Sequence, residues 1–241
     1  MKLIKQLWML VLLLAVPAMA SANEGGPQLD RAPASLSDKA SLQRGAQFFL
    51  ANCLACHSAS YMRYNRLKDI GMSEDEIKKL LPEGSKLGST MKAMMDAESA
   101  KAAFGVAPPD LSVEARARGT DWLCTYFRSF YADSGRPSGV NNLIFPGVAM
   151  PNIFAPLQGD QALQAESHEG HEVKRLKLTA PGSMSTKEFD ATAADLVNYL
   201  DFMSEPAKLV RYKLGYIVLS FLFLLLILTY LLKKEFWKGI H

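Results

Sequence analysis

Two stretches of the chain are apolar on every face, and the polypeptide between them is amphipathic. The first apolar stretch runs from Leu7 to about Val16, behind Lys2 and Lys5 and ahead of Ala18-Met19-Ala20 and Ala20-Ser21-Ala22. Basic residues, a short apolar core and Ala-x-Ala form the pattern of an export signal. The core is too short to anchor the chain across a bilayer. Cleavage after Ala20 and after Ala22 both fit, so residues 1–22 are assigned to the signal. The second stretch, Leu214–Leu232, has 19 residues without a charge, close to the roughly 20 that cross hydrocarbon as a helix. Arg211 and Lys213 mark one edge and Lys233 and Lys234 the other, with Tyr212, Tyr216, Tyr230 and Trp237 at the levels of the interfaces. These basic flanks nearly balance, so the export signal sets the orientation. Residues 23–206 lie in the periplasm, 207–232 cross the inner membrane and 233–241 remain in the cytoplasm.

Between these ends the apolar positions recur mostly at helical spacing. Residues 23–36 are rich in glycine and proline and read as extended. From Ser37 to Asn52 the stripe Leu42, Ala46, Phe49 and Cys53 predicts a helix. Ser73 with Glu76 forms a capping box for a short helix that stops before Pro82. Met91, Met94 and Met95 fall in a further helical stretch, and "DAESAKAAFG" reads as a helix ending at Gly105. "SVEARARGTDWLCTYFRSFY" is mostly helical, with an interruption at Gly119. Residues 133–160 are rich in proline and glycine and form a long irregular segment, a feature usually kept for function. Ser185 and Glu188 cap a last helix with the stripe Phe189, Ala193, Leu196, Val197, Leu200 and Met203, and Pro206 separates it from the membrane span. No strand stands out. "GDQALQAESHEGHEV" reads as a solvated loop carrying His168 and His171. The expected fold is therefore mainly α.

Composition changes this picture little. The 49% hydrophobic fraction is inflated by the two apolar ends, and the formal charge of +3 loses Lys2 and Lys5 on processing. A nearly neutral exported body gives no reason to expect a nucleic-acid partner. About 180 residues suffice for one domain with its own core.

The chemistry is concentrated in "NCLACHSAS". Cys53 and Cys56 could form a redox dithiol or half of a zinc site, but no second cysteine-rich knuckle supplies the other zinc ligands. His57 decides the matter, because Cys-x-x-Cys-His is the signature of covalent haem c attachment. Two thiols on one turn can each add to a haem vinyl group, and the next imidazole becomes the proximal iron ligand. Cys124 is left over among aromatic neighbours, as a small buried hydrophobe. The iron then has one further position. Met150 stands out for it, because "FPGVAMPNIF" is a proline-braced loop about ninety residues beyond His57, whereas Met203 belongs to a core stripe. A gap-filling core methionine is the alternative reading of Met150.

The set "CLACH", "APPDLSVEARARG", "FPGVAMP" and a capped helix running into a C-terminal anchor resembles the cytochrome c1 family, the haem subunits of ubiquinol–cytochrome c oxidoreductase (the cytochrome bc1 complex). The resemblance implies a c-type cytochrome haem domain with long loop insertions and one C-terminal transmembrane helix. It implies one covalent haem c held by Cys53 and Cys56, with His57 and Met150 as axial ligands. It also implies Arg118 as partner of a haem propionate, and Pro108, Pro109 and Trp122 as crevice walls. The implied role is that of a redox subunit rather than an enzyme on its own. It would take electrons from the Rieske iron–sulfur protein and pass them to a soluble or membrane-tethered c-type cytochrome, beside cytochrome b in the lipid bilayer. A stand-alone tethered shuttle, or a haem peroxidase or reductase with an open sixth position, are the competing readings.

Overall fold

The computed structural model describes residues 28–168 and 171–239; the segment expected to be an export signal lies outside them. Helix α1 (Lys39–Phe48) is capped by Asp38, whose side chain accepts from the Ser41 N–H. It widens into a π-helical turn, Phe49–Cys53, in which the Leu54 N–H reaches back to the Phe49 carbonyl. Such turns are common at functional positions, and this one delivers the Cys-x-x-Cys-His run. Next come β1 (Ala59–Arg63), a 3-10 turn over Tyr64–Ile70, α2 (Glu74–Leu80), β2 (Thr90–Met91) and α3 (Ala97–Phe104). Helices α4 (Glu114–Arg118) and α5 (Thr120–Arg128) meet at Gly119, which adopts φ 90°. They are followed by β3 (Phe130–Ala132), β4 (Val140–Asn142), α6 (Ala155–Gln158), β5 (Gly159–His168) and β6 (His171–Pro181). Helices α7 (Thr186–Ser204) and α8 (Lys208–Phe236) complete the described chain.

Both expected capping boxes are present, Ser73 with Glu76 and Ser185 with Glu188. The expectation of no strands is corrected. Among the described residues three two-stranded antiparallel ladders form, β1 with β2, β3 with β4, and β5 with β6. The supposed solvated loop after residue 158 is a hairpin in which His168 and His171 are register partners. The helix expected around Met91, Met94 and Met95 is also absent. Met91 lies in β2, and the Met94 and Met95 N–H groups donate to the carbonyls of Leu54 and Ala55. The residues after Arg128 leave the helix for β3.

The core lies between α1, α5 and α7. The α1 stripe of Leu42, Ala46 and Phe49 and the α7 stripe of Phe189, Leu196, Val197 and Leu200 are buried. Their close crossing depends on Gly45. A Cβ there would lie 2.0 Å from the Asp195 carbonyl oxygen and 2.8 Å from the Tyr199 Cβ. Neither can yield without moving α7. Arg44 brackets the crossing by a forked pair to Asp195, at 2.6 and 2.9 Å. Gly45→Ala is expected to destabilise the protein by at least the roughly 1–3 kcal/mol typical of overpacking. Thermal melting of the detergent-solubilised protein measures it, and an unchanged midpoint would show that the helices separate at little cost.

Asn198 of α7 is 1% exposed. It accepts from the Ser35 N–H and donates to the Ser35 carbonyl and the Ser41 hydroxyl, fastening the extended N-terminal segment. Helix α8 projects away from this core, long and apolar enough to cross a membrane and with its apolar stretch unburied.

Candidate functional site

Around the end of the π-helical turn the backbone closes tightly. The N–H groups of Cys56 and His57 both donate to the Cys53 carbonyl, at 3.1 and 2.8 Å. This one turn carries both thiols and the imidazole. The thiols are unpaired with each other. Burial, with a smaller contribution from neighbouring Cys56, pushes the Cys53 thiol up to about 12, so it stays neutral.

The "PPDLS" segment is laced to the residues just after this turn. The Leu111 N–H donates to the Ser58 carbonyl, Ser60 N–H to Asp110 Oδ2, and Tyr61 N–H to the Ser112 hydroxyl. Burial opposes the Asp110 charge, but hydrogen bonds from Ser112 and Ser60 outweigh it and hold its pKa low. The lacing puts the Pro109 carbonyl 2.8 Å from His57 Nδ1. A carbonyl only accepts, so Nδ1 carries the proton and Nε2 keeps its lone pair. Burial lowers the His57 pKa more than the Pro109 bond raises it, favouring the neutral imidazole that binds metals.

A cavity of about 310 Å³ opens beside this turn, and its lining includes Cys53, Cys56, His57, Pro108, Pro109 and Trp122. Arg118 and Met150 line it too, so every residue singled out in the sequence for the site meets in one place. The wall is mostly apolar. Arg118 stands 4.4 Å over the Trp122 ring and 5.4 Å from the Phe145 ring. Its Nε donates to Glu114 at 2.7 Å, and its Nη groups have no hydrogen-bond partner among the described residues. A partly exposed guanidinium with free donors at the edge of an apolar cavity suits an acidic group carried by a ligand.

Met150 reaches the cavity from the loop after β4. The irregular path is held by two adjacent amides. Asn141 Oδ1 accepts from Gly147 N–H, and Asn142 Oδ1 from Ile144 and Phe145 N–H. Arg136 adds a bond to the Gly147 carbonyl. The Met150 sulfur accepts from the Tyr126 hydroxyl at 3.5 Å. Burial pushes the Tyr126 phenol pKa up, against a smaller effect of Arg118.

Sequence reasoning did not find Tyr126, Phe145, Val148 or Phe154, which also line the cavity. One signal was present for Tyr126, four residues after Trp122 and hence on the same face of α5. The donor set fits a haem c. Two unpaired thiols share one turn with an imidazole whose Nε2 is available, and a thioether arrives from a separate loop into the same apolar space.

The family model described as the Cytochrome C1 family matches residues 31–240. A protein of Nitrosomonas europaea named ammonia monooxygenase gamma subunit is 51% identical over the full length of both chains. A cytochrome c1 of Allochromatium vinosum is 45% identical over 98% of this chain and all of its own. A cytochrome c1 of Rhodospirillum rubrum is 30% identical, with 95% of this chain and 94% of the other covered. With its site geometry, a family match over nearly its whole length and these full-length relatives, the chain belongs to the cytochrome c1 family.

Proposed function

We infer that this protein is the electron-transferring haem subunit of a cytochrome bc1 complex. The observation that carries this is the meeting of Cys53, Cys56, His57 and Met150 at one apolar cavity, in a chain of this family. Bound there, one covalent haem c supplies a one-electron Fe(III)/Fe(II) couple. Cys53 and Cys56 hold the group by thioethers. Pro109 fixes the ring and tautomer of His57, so its Nε2 would hold the iron, and the Met150 sulfur would hold it as well. A thioether favours the reduced iron and so raises the potential. Arg118 offers its free Nη donors to a propionate, while Pro108, Pro109 and Trp122 exclude water. Ligands fixed by hydrogen bonds and prolines move little when the charge changes, which keeps electron transfer fast.

Residues 1–22 direct export, 23–206 form the periplasmic haem domain, 207–232 anchor it and 233–241 lie in the cytoplasm. The join between domain and anchor is short and braced. Lys208 pairs with Asp201 at 3.0 Å and Arg211 with Glu205 at 3.0 Å. A mobile shuttle would gain from a loose tether, and this connection favours a subunit held beside cytochrome b. The Rieske protein is the donor and a c-type cytochrome the acceptor.

The name of the Nitrosomonas relative raises a second reading, service to a monooxygenase. Mild detergent extraction separates the two. The haem c should co-migrate with a b-type cytochrome and be reduced when quinol is added. Migration as a lone chain, or reduction dependent on ammonia rather than quinol, would overturn the proposal.

A further inference from the structure

We propose that Tyr126 is a positioning residue for the Met150 thioether, its hydroxyl holding the sulfur lone pair that iron does not use and raising the potential of the haem. This rests on the reading of Met150 as sixth ligand.

Tyr126 is 8% exposed. Its ring stacks on Trp122 at 4.9 Å, and Phe130, Phe127 and Phe145 contact it edge-on at 5.1, 5.8 and 6.3 Å. These four rings restrain the phenol. A buried tyrosine hydroxyl needs an acceptor, and the Met150 sulfur at 3.5 Å is its one side-chain partner among the described residues. The bond crosses from α5 to the Met loop, so it also selects among the rotamers of a side chain with three rotatable bonds.

A thioether sulfur has two lone pairs. With one directed to iron, the other is open to an O–H donor. That donor draws electron density from sulfur and weakens its donation to the metal. Fe(III) loses more from this than Fe(II), so the reduced state is favoured and the potential rises.

Tyr126→Phe keeps the ring and removes only the donor. A single neutral hydrogen bond is modest, and only its difference between the two oxidation states counts. At the wild-type midpoint the oxidised-to-reduced ratio is expected to rise about threefold, equivalent to a midpoint about 28 mV lower for a one-electron couple. The methionine–iron charge-transfer band should shift but persist. Phe130→Leu, which loosens the same aromatic packing from outside the cavity and leaves the hydroxyl, should not reproduce the change. In a Met150→Leu background, Tyr126→Phe should have no further effect on potential, as coupling through the sulfur requires. An unchanged potential and band in Tyr126→Phe, or an equal shift in Phe130→Leu, would overturn the positioning role. Persistence of the band in Met150→Leu would instead overturn the ligand reading beneath it.

Discussion

Replacing Met150 by leucine is expected to lower the haem midpoint potential by some tenths of a volt and to let carbon monoxide bind the reduced protein. Axial-ligand identity commands a span of roughly 0.8 V in haem proteins, and a thioether sits at the end that favours Fe(II). Leucine has no lone pair to offer, so the sixth position becomes vacant or passes to water. The fold should tolerate the change. Met150 is half-buried beside the hydrophobic core, and a volume-conserving apolar exchange usually costs under about 1.5 kcal/mol. Loss of the charge-transfer band, a lowered redox titration midpoint and a carbon monoxide difference spectrum would appear together, with thermal stability nearly intact. A normal midpoint in this variant would refute the ligand assignment outright. The same experiment bears on the reading as a haem peroxidase or reductase, since a wild-type protein that already binds carbon monoxide would have an open site.

The parts of this molecule that were legible in the sequence are those encoded by neighbours. Capping boxes span three residues, and the Ser185–Glu188 bond forms at 2.8 Å within the helix start it announces. The Gly119 break was visible because the residue itself takes the positive φ that interrupts α4 and α5. The hairpin of β5 and β6 was not, because the stretch is mostly polar and its sequence lacks the sustained apolar alternation that marks a half-buried strand. It is held by its backbone ladder. The segment at Met91–Met95 fails differently. Its composition suits a helix, but backbone bonds to Leu54 and Ala55 draw it against the haem-motif turn; tertiary contact overrides propensity. In the site, Cys-x-x-Cys-His announced itself through its spacing. The partners that shape the cavity did not, since the His57 to Pro109 and Tyr126 to Met150 bonds join positions 52 and 24 residues apart. Such pairs have no local signature, and only the closed chain brings them together.

Asn142→Ala shows how much of the Met loop depends on one such long-range element, and its expected effect on stability is the largest of any single hydrogen-bonding residue considered. Asn142 has no exposed surface. Its Oδ1 accepts from Ile144 N–H, Phe145 N–H and the Ser129 hydroxyl at 3.1, 3.2 and 3.1 Å. Its Nδ2 donates to the Tyr126 carbonyl at 2.8 Å. One amide thus joins the end of α5, the start of β3 and the first residues of the loop that presents Met150. Alanine leaves the Ile144 and Phe145 N–H groups unmatched, whereas the Tyr126 carbonyl keeps the Ser129 N–H and hydroxyl as donors. A buried polar group left unmatched costs about 1–3 kcal/mol. For two such groups, softened by partial entry of water, this amounts to about 2–4 kcal/mol, a large share of the roughly 5–15 kcal/mol that typically holds a domain folded. The loop should fail before the core does. Core contacts of α1 with α7 do not pass through Asn142, whereas the position of the Met150 sulfur does. In detergent, the wild-type protein should lose its methionine–iron band and its far-ultraviolet helical signal in one transition on heating. In Asn142→Ala the band should disappear at a distinctly lower temperature, with the helical signal following. Asn142→Asp keeps the acceptor oxygens but loses the donor to Tyr126 and buries a charge, so it should rescue little. If Asn142→Ala melts within about 1 kcal/mol of wild type with both signals still coincident, then the proline-rich sequence alone holds the loop and the amide bridge does not.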